Sequence, residues 1–536
     1  MPIELNRLRG RKQVAWLGGE PPADVKRIFE EREYLVTPCT ELDLQNSAFL
    51  AGLSAVVFTQ SAEKPLQIAK DLEAHARRLL DYDSRIILRP APNGLSILIN
   101  VIDQLKLPTV GLPLREAEKL TKWQNPKDGE PPLPYARYFE ETIPWSVVAN
   151  FVSESPTGPA PNHALNITID DRVDENGKSH KSELSDESKL LLRRAFADCA
   201  DVHLVPIDDG HSGVGVFRAY AELAGGLEGK WPQPHFVKLG DRTKIVAEYK
   251  VYEENVDPYV PFHLGPHLVR DRCCLGAKEG IIVGDWVEES ESLRDCACAG
   301  RSASAIACLF DRTLLGWHRQ ARAVSSSLSK GLLSRFPRKI NSRRLERARE
   351  LGATLDPGQL RVLFERCTST PVLVGPIHGD LHAANVRVRA TDAIVIDFAA
   401  HRHYPLVYDA ACLEASLLVE GFADDGRDIE EWLRSLDLLY QHPPFDYAVT
   451  PANPKNRSFW FHACVQQIRR YARQWECGRD QYAGALAVAL LNKACKDVNV
   501  PEPEASRRAV AYVLAERVLS KTFGPQPATQ APAVAS

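Results

Sequence analysis

Apolar and polar positions alternate along this chain in two successive rhythms. Over residues 12–114, short apolar runs are interleaved with stretches whose apolar residues recur at helical spacing. Gln13–Leu17 reads as a strand, Ala23–Arg32 as a short helix with Val25, Ile28 and Phe29 on one face, and Tyr34–Thr37 as a second strand. Ala55–Thr59 reads as a buried strand and 65–80 as a helix with Ile68, Leu72, Ala76 and Leu79 on one face. Arg85–Leu88 comes next as a strand, 95–104 as a helix and 109–112 as a last strand. Strands and helices alternating at this pace predict a parallel sheet with helices on both faces.

The second rhythm begins after two Pro-rich connectors, 125–134 and 153–162. Asn176-Gly177 between Val173 and His180 predicts a hairpin turn, and Ser185 with Asp186 and Glu187 predicts a helix start. From about Val202 two strands are joined by a glycine turn containing Gly210, Ser212, Gly213 and Gly215, and 223–234 reads as a hairpin loop. His235–Leu239 is a strand with Lys238 among apolar residues, and Lys244–Val256 is the next helix. Ile281–Val287 is an apolar strand turning acidic. Ile306, Leu309, Phe310, Thr313, Leu314 and Trp317 share a helix face that ends at His318. Residues 335–349 are basic; such a run suits an acidic substrate or nucleic acid, but the preferred reading is a solvated helix and loop. Helices are expected over Phe459–Trp475, Gln481–Cys495 and Glu504–Leu519, and the composition of 522–536 predicts disorder.

The candidate chemistry lies in residues 372–398. Val386 and Val388, then Ile394 and Ile396, alternate as strand pieces around a tip at Thr391-Asp392. Asp380 and Asn385 stand on the loop entering this hairpin, and Asp397 on its exit. Phosphoryl transfer from a nucleotide needs these parts: a carboxylate to accept the proton of the attacking hydroxyl, and an acid and an amide oxygen to hold Mg²⁺ against the phosphates. Asp380 is the candidate base, with Asn385 and Asp397 as metal ligands. Each alone is an ordinary turn residue; their joint type, spacing and strand context carry the signal. The glycines of 210–215 let backbone N–H groups approach phosphate without a Cβ clash.

The wording HGDLHxxN…IDF resembles the aminoglycoside phosphotransferase and choline kinase-type family of the protein-kinase-like fold, with His382 where protein kinases usually carry Lys. The resemblance covers about 185–521 and is most specific over 372–409. It implies a bilobal α+β kinase-like domain, ATP and Mg²⁺ as cofactors, and a small-molecule hydroxyl as acceptor. It implies that Lys238 meets the α/β-phosphates and pairs with an acid on the next helix, Glu248 by choice over Glu253, with Lys244 as the rival lysine. It also implies that Trp286 and Val287 join the lobes and offer backbone groups to the adenine, and that Asp409 braces the catalytic loop. His401 and His403 are read as loop residues rather than acceptor contacts. Ala399 replaces the glycine that comes after the metal-binding Asp-Phe pair in protein kinases, and there is no long activation segment.

Residues 1–120 look like a flavodoxin-like, receiver-type domain in element order, but the receiver's chemistry is missing. The third strand ends Phe58-Thr59-Gln60 instead of in Asp, and Gly18-Gly19-Glu20 replaces the acid pair after the first strand. A non-phosphorylated module for regulation or partner binding is expected. The Gly18-Gly19 turn is read as a plain strand-to-helix turn rather than an anion site. The expected organisation is therefore 1–120, a connector over 121–184, an N-lobe over 185–290, a helical C-lobe over 291–521 and a tail. Other readings are a nucleotide-binding scaffold without catalysis, and a protein Ser/Thr kinase.

Composition narrows this little. A hydrophobic content of 44% allows a sizeable core, and a net charge of −4 gives no global argument for nucleic acid or membrane. No apolar run spans a bilayer, the first residues lack an apolar leader core, and cytoplasmic residence is expected by default. Twelve cysteines without export signals read as reduced thiols, not a zinc site.

Overall fold

A computed structural model describes residues 13–59, 84–89, 136–207, 215–224, 234–420, 429–440, 459–495 and 504–525, with short interruptions, and also His75 and Leu79. The chain divides into two compact units, Met1–Lys250 with His267–Trp286, and Val251–Pro266 with Val287–Ser536.

The first unit opens with a five-stranded sheet. Its strands are β1 (Gln13–Leu17), β2 (Leu35–Cys39), β3 (Leu53–Thr59), β4 (Arg85–Arg89) and β5 (Ala136–Tyr138). Their order is β2-β1-β3-β4-β5, with every pairing parallel. β3 is buried from Leu53 to Phe58, the behaviour of a continuous apolar run covered on both faces. The helix Ala23–Glu30 sets Val25 and Phe29 into the core. The expected helices at 65–80 and 95–104 and the strand at 109–112 lie outside the described residues, apart from His75 and Leu79, both buried.

The expected connector contributes ordered elements. β5 forms the sheet edge, and the helix Trp145–Ser153 adds Val148, Ala149, Phe151 and Val152 to the sheet's core. Trp145 lies 5.1 Å from Trp16, ring to ring, and the Arg89 guanidinium sits 4.0 Å from the Trp145 ring. The apolar run Trp145–Val152 carries too much apolar surface to stay in a solvated linker. The first sheet and its helices thus reach residue 153 rather than 120.

A six-stranded sheet comes next. It starts with β6 (Asn166–Ile169), also from the expected connector. β7 (Arg172–Val173) and β8 (Ser179–His180) pair antiparallel, Arg172 opposite His180, and the expected turn at Asn176-Gly177 lies outside the described residues. Ser185 Oγ accepts from Ser188 N–H at 2.9 Å and caps the helix Asp186–Ala195, as its position predicts. The remaining strands are β9 (Cys199–Pro206), β10 (Gly215–Leu223), β11 (His235–Asp241), β12 (Cys274–Leu275) and β13 (Glu279–Asp285), in the order β12-β13-β11-β10-β9-β6. Gly210, Ser212 and Gly213, and loop residues 225–233, lie outside the described residues; Gly215 begins β10. Asp241 Oδ1 accepts from Thr243 N–H at 2.9 Å and Lys244 N–H at 3.2 Å, so the next helix starts at Arg242 rather than Lys244. It runs to Val251 and passes into a π-helical turn, Tyr252–Val256.

The second unit holds β14 (Glu291–Ser292), β15 (Arg322–Val324), β16 (Val372–Ile377), β17 (Val386–Arg389), β18 (Asp392–Val395) and β19 (Arg402–Pro405). They form two antiparallel sheets, β14-β17-β18 and β15-β16-β19. The hairpin tip is Ala390-Thr391, one residue earlier than expected, because Arg389 pairs with Asp392 and Ala390 takes φ +55°. All six residues of the face Ile306–Trp317 are buried, although a π-helical turn, Leu309–Thr313, interrupts the helix. Thr313 Oγ1 donates to Ala393 O at 2.6 Å, tying this helix to β18. The basic run is not simply solvated: in the helix Ser342–Glu350, Arg344 is buried and donates to Ala494 O at 2.6 Å. The helices Phe459–Trp475 and Gln481–Cys495 have the expected bounds, and the last runs to Phe523 rather than Leu519. All twelve cysteines are free thiols. Among the described residues no helix is long and apolar enough to cross a membrane.

Candidate active site

Two constellations answer to the sequence motifs, one in each unit. In the first unit, Lys238 sits mid-strand in β11, opposite Val216 of β10 and Ile282 of β13. Its Nζ lies 2.7 Å from Glu248 Oε2, and both side chains are buried, at 8% and 3% exposure. The pair joins the middle of a sheet to the second turn of the helix Arg242–Val251. A buried ion pair of this kind gives weak evidence of stability but fixes where the ammonium stands. Glu253, the second choice, lies in the π-helical turn of the other unit.

The chain passes from the first unit to the second between Trp286 and Val287. Their backbone groups are partly engaged: Trp286 N–H donates to Pro234 O at 3.1 Å, and Val287 O accepts from Ser290 Oγ at 2.6 Å.

In the second unit, β16 delivers His378-Gly379-Asp380, and a 3-10 turn, Ala383–Asn385, leads into β17. Gly379 has φ +81°, and a Cβ there would stand 2.4 Å from Ala400 O, so only glycine lets the Asp380 loop lie against the segment after Asp397. Asp380 is half-buried, Asn385 buried and Asp397 exposed. Asn385 Nδ2 donates to Asp380 O at 3.1 Å, which turns its amide nitrogen inward and leaves the amide oxygen for another partner. Asn385 O accepts from Ile396 N–H at 2.9 Å, so the Asn385 loop and the Asp397 arm share a backbone bond. Asp397 itself adopts φ +62°, an uncommon conformation for a non-glycine residue and one found at functional turns.

His378 is the hub of this arrangement. Fully buried, it has Nε2 3.0 Å from Ile396 O, while its Nδ1 accepts from Asp380 N–H at 3.4 Å. That pair of partners assigns the proton to Nε2. Asp409 accepts from His378 N–H at 2.7 Å and from Gly379 N–H at 2.9 Å. Burial pushes the Asp409 carboxyl above its usual range, against the pull of His378 and the two N–H donors. Ser416, further along the helix Val407–Glu420 that carries Asp409, accepts from Ala383 N–H at 2.8 Å.

Around this centre several groups are tuned by burial. The His382 imidazole is held below its ordinary pKa by burial first, with Glu420 opposing and Lys493 assisting. Burial likewise lowers His401 to about 4, with His403, His378 and Arg402 adding to it, and its ring lies 4.9 Å from Trp317. His403 is exposed. Phe398 packs edge-on against Tyr252 and Trp317, at 5.2 and 5.7 Å.

The roles of His378 and Ser416 were not legible in the sequence. His378 stood inside the motif, yet its ring bond to Ile396 O depends on an approach that only the hairpin creates. Ser416 has no local signal: it is one serine in an apolar helix, and its meaning depends on Ala383 arriving beside it.

Two hard oxygen donors, an amide and a carboxylate, suit Mg²⁺, which takes its remaining ligands from phosphates and water. Among the described residues no three His, Cys, Asp or Glu side chains converge on a metal position.

Residues 293–446 match the family model of the phosphotransferase enzyme family, APH, and this segment holds Asp380, Asn385 and Asp397. No curated protein matches the chain. Among solved structures, glucosamine kinase aligns at 12% identity over 65% of this chain and 83% of its own, with a TM-score of 0.31. Aminoglycoside phosphotransferase APH(3'')-Id from Streptomyces rimosus aligns at 16% over 52% and 96%, with a TM-score of 0.26. The Plasmodium vivax ethanolamine kinase aligns at 8% over 59% and 81%, with a TM-score of 0.30. Likeness at this level says nothing about the acceptor of this chain.

Proposed function

We propose that this chain, whose residues 293–446 form a phosphotransferase-family domain, moves the γ-phosphate of ATP to a hydroxyl of a small molecule. Asp380 accepts the proton of the attacking hydroxyl. Asn385 and Asp397 would hold Mg²⁺, which would offset the charge of the phosphates. Lys238, kept in place by Glu248, meets the α/β-phosphates. Catalysis rests on positioning and electrostatics rather than on covalent chemistry by the protein.

The observation that carries this reading is the locked frame of the second unit. His378 bridges Asp380 N–H and Ile396 O, and Asp409 fixes the backbone on the other side. Such a frame holds a base and two oxygen donors at one end of a rigid hairpin. The chain beyond Asp397 favours a small acceptor over a protein. It makes a single 3-10 turn, the short strand β19 and then the helix Val407–Glu420, with no long segment on which to lay a peptide.

We read the sheet over 13–153 as a receiver-like module that takes no phosphate and serves regulation or partner binding. At its carboxyl edge stand Gly18, with φ +117° and no room for a Cβ beside Thr59 O, and Thr59, whose hydroxyl donates to Leu17 O at 3.1 Å. A carboxylate for phosphorylation is replaced there by a hydroxyl already in use.

The test is Mg²⁺-dependent ATP binding and slow hydrolysis in wild type, Asp397→Ala and Asp380→Ala. Asp397→Ala should lose the Mg²⁺-dependent part of both. Asp380→Ala should keep nucleotide binding and lose roughly 10²–10⁴-fold in turnover. Undiminished turnover in Asp380→Ala would remove the base. Tight binding without turnover in wild type would favour a nucleotide-binding scaffold.

A further inference from the structure

One part of the basic run is not absorbed by packing. Arg344 is a buried strut and Arg347 is spent on Glu350 and Ser506. Arg335, at the end of the 3-10 turn Leu333–Arg335, behaves differently. Its guanidinium lies 5.9 Å from the centre of the Tyr404 ring, and its Nη2 is buried without a hydrogen-bond partner. Arg402 reaches the same ring at 5.6 Å. The Tyr404 hydroxyl is held 3.0 Å from Ser334 Oγ, so the turn and β19 are pinned together at this point. Among the described residues neither arginine forms an ion pair with a carboxylate. Two half-buried like charges gathered on one ring, without a carboxylate counter-ion among the described residues, repel each other and are poorly solvated.

The cluster borders the proposed base. Arg402 pairs with Ile377 across β16 and β19, donates from Nε to Ala400 O at 2.7 Å, and leaves that Nε 3.2 Å from where a Cβ of Gly379 would stand. Gly379 immediately precedes Asp380. The guanidinium nitrogens of Arg402 not used on Ala400, which also reach the Tyr404 hydroxyl, together with Arg335 Nη2, which has no partner among the described residues, present donors of the geometry that carboxylates and phosphates accept.

We propose that Arg335 and Arg402, gathered on Tyr404, form an anion subsite for the acceptor, so that the molecule phosphorylated carries a carboxylate or phosphate besides its hydroxyl. This rests on the phosphotransferase reading above and names the substrate class of that same site. The anion anchors one end of the acceptor, and its hydroxyl falls toward Asp380.

The experiment titrates inorganic phosphate and, separately, acetate into the chain loaded with Mg²⁺ and a non-hydrolysable ATP analogue, so that the γ-phosphate position is already filled. Wild type should bind saturably. Arg335→Gln and Arg402→Gln, each alone, should weaken binding by about tenfold, equivalent to about 1.4 kcal/mol. Preference for phosphate assigns a phosphate-bearing acceptor, and comparable acetate binding a carboxylate-bearing one. Absence of saturable binding in wild type, or equal binding in wild type and both variants, overturns the subsite. If the ATP analogue itself does not bind, the phosphotransferase reading fails, and the same titration on the nucleotide-free chain still decides the subsite. Should either Gln variant fail to fold, Tyr404→Phe, which frees the turn from β19, is titrated in its place with the same expected loss.

Discussion

Lys238 and Glu248 show what a single residue contributes at this site. A lysine ammonium in the middle of a sheet is expensive to bury, and Glu248 is the neighbour that makes it tolerable, at 2.7 Å and with both groups nearly excluded from water. Neutralising the acid removes a charge that compensates the buried cation. Glu248→Gln is therefore expected to cost on the order of 3 kcal/mol in stability, in the range for breaking a buried pair. Urea denaturation reads that loss directly. Mg·ATP affinity in the same variant should fall, because Lys238 loses the partner that aims it. A folded Glu248→Gln with wild-type nucleotide affinity would show that Lys238 does not meet the phosphates.

At the scale of elements, the helix Val407–Glu420 organises the second unit. It presents Asp409 to His378 and Gly379 N–H, and Ser416 to Ala383 N–H, so the loop 378–385 hangs from one helix at two points. Between them Glu414 is fully buried in a network: Arg469 donates to both its oxygens at 3.0 and 2.6 Å, and Tyr440 and Tyr482 donate at 2.8 and 2.7 Å. A satisfied network of this kind fixes the helix in one position. Ser416→Ala should leave the Ala383 N–H buried and unpaired, at a cost of roughly 1–3 kcal/mol. In steady-state kinetics kcat should then fall more than the KM for ATP rises, because the loop holding Asp380 loosens while the lysine pair is untouched. Equal kcat in the variant would show that Asp409 alone suffices. The sequence disclosed Asp409 but not this helix's full role. Asp380, Asn385 and Asp397 are close in the chain and carried by strand alternation, which local pattern reveals. Ser416, Arg335 and the Glu414 network depend on long-range approach, and polar residues in an apolar helix look like interruptions until their partners are known.

At the scale of the whole molecule, the same contrast explains the first unit. The parallel strands β1, β3 and β4 were legible because continuous apolar runs survive any context. β5 and the helix Trp145–Ser153 were obscured by the prolines on either side, although Trp145, Val148, Phe151 and Val152 already showed a buried face. The resulting sheet has the strand order of one common doubly wound class, in which ligands and modifications gather at the carboxyl ends of the strands. Here that edge offers Gly18, Gly19 and Thr59, and the nearby Asp43 carboxylate is occupied by Thr40 N–H and Oγ1, at 2.8 and 2.7 Å. Those bonds, backbone first, hold Asp43 below its ordinary pKa. A carboxylate engaged in this way is a poor nucleophile toward a phosphoryl donor. Incubating the full chain with Mg²⁺ and acetyl phosphate should therefore leave no acyl phosphate on residues 13–153, as read by peptide mass spectrometry after borohydride trapping. A labelled aspartate in that span would mean that the module receives phosphate after all, and that any control it exerts over the phosphotransferase domain is switched by modification rather than by binding.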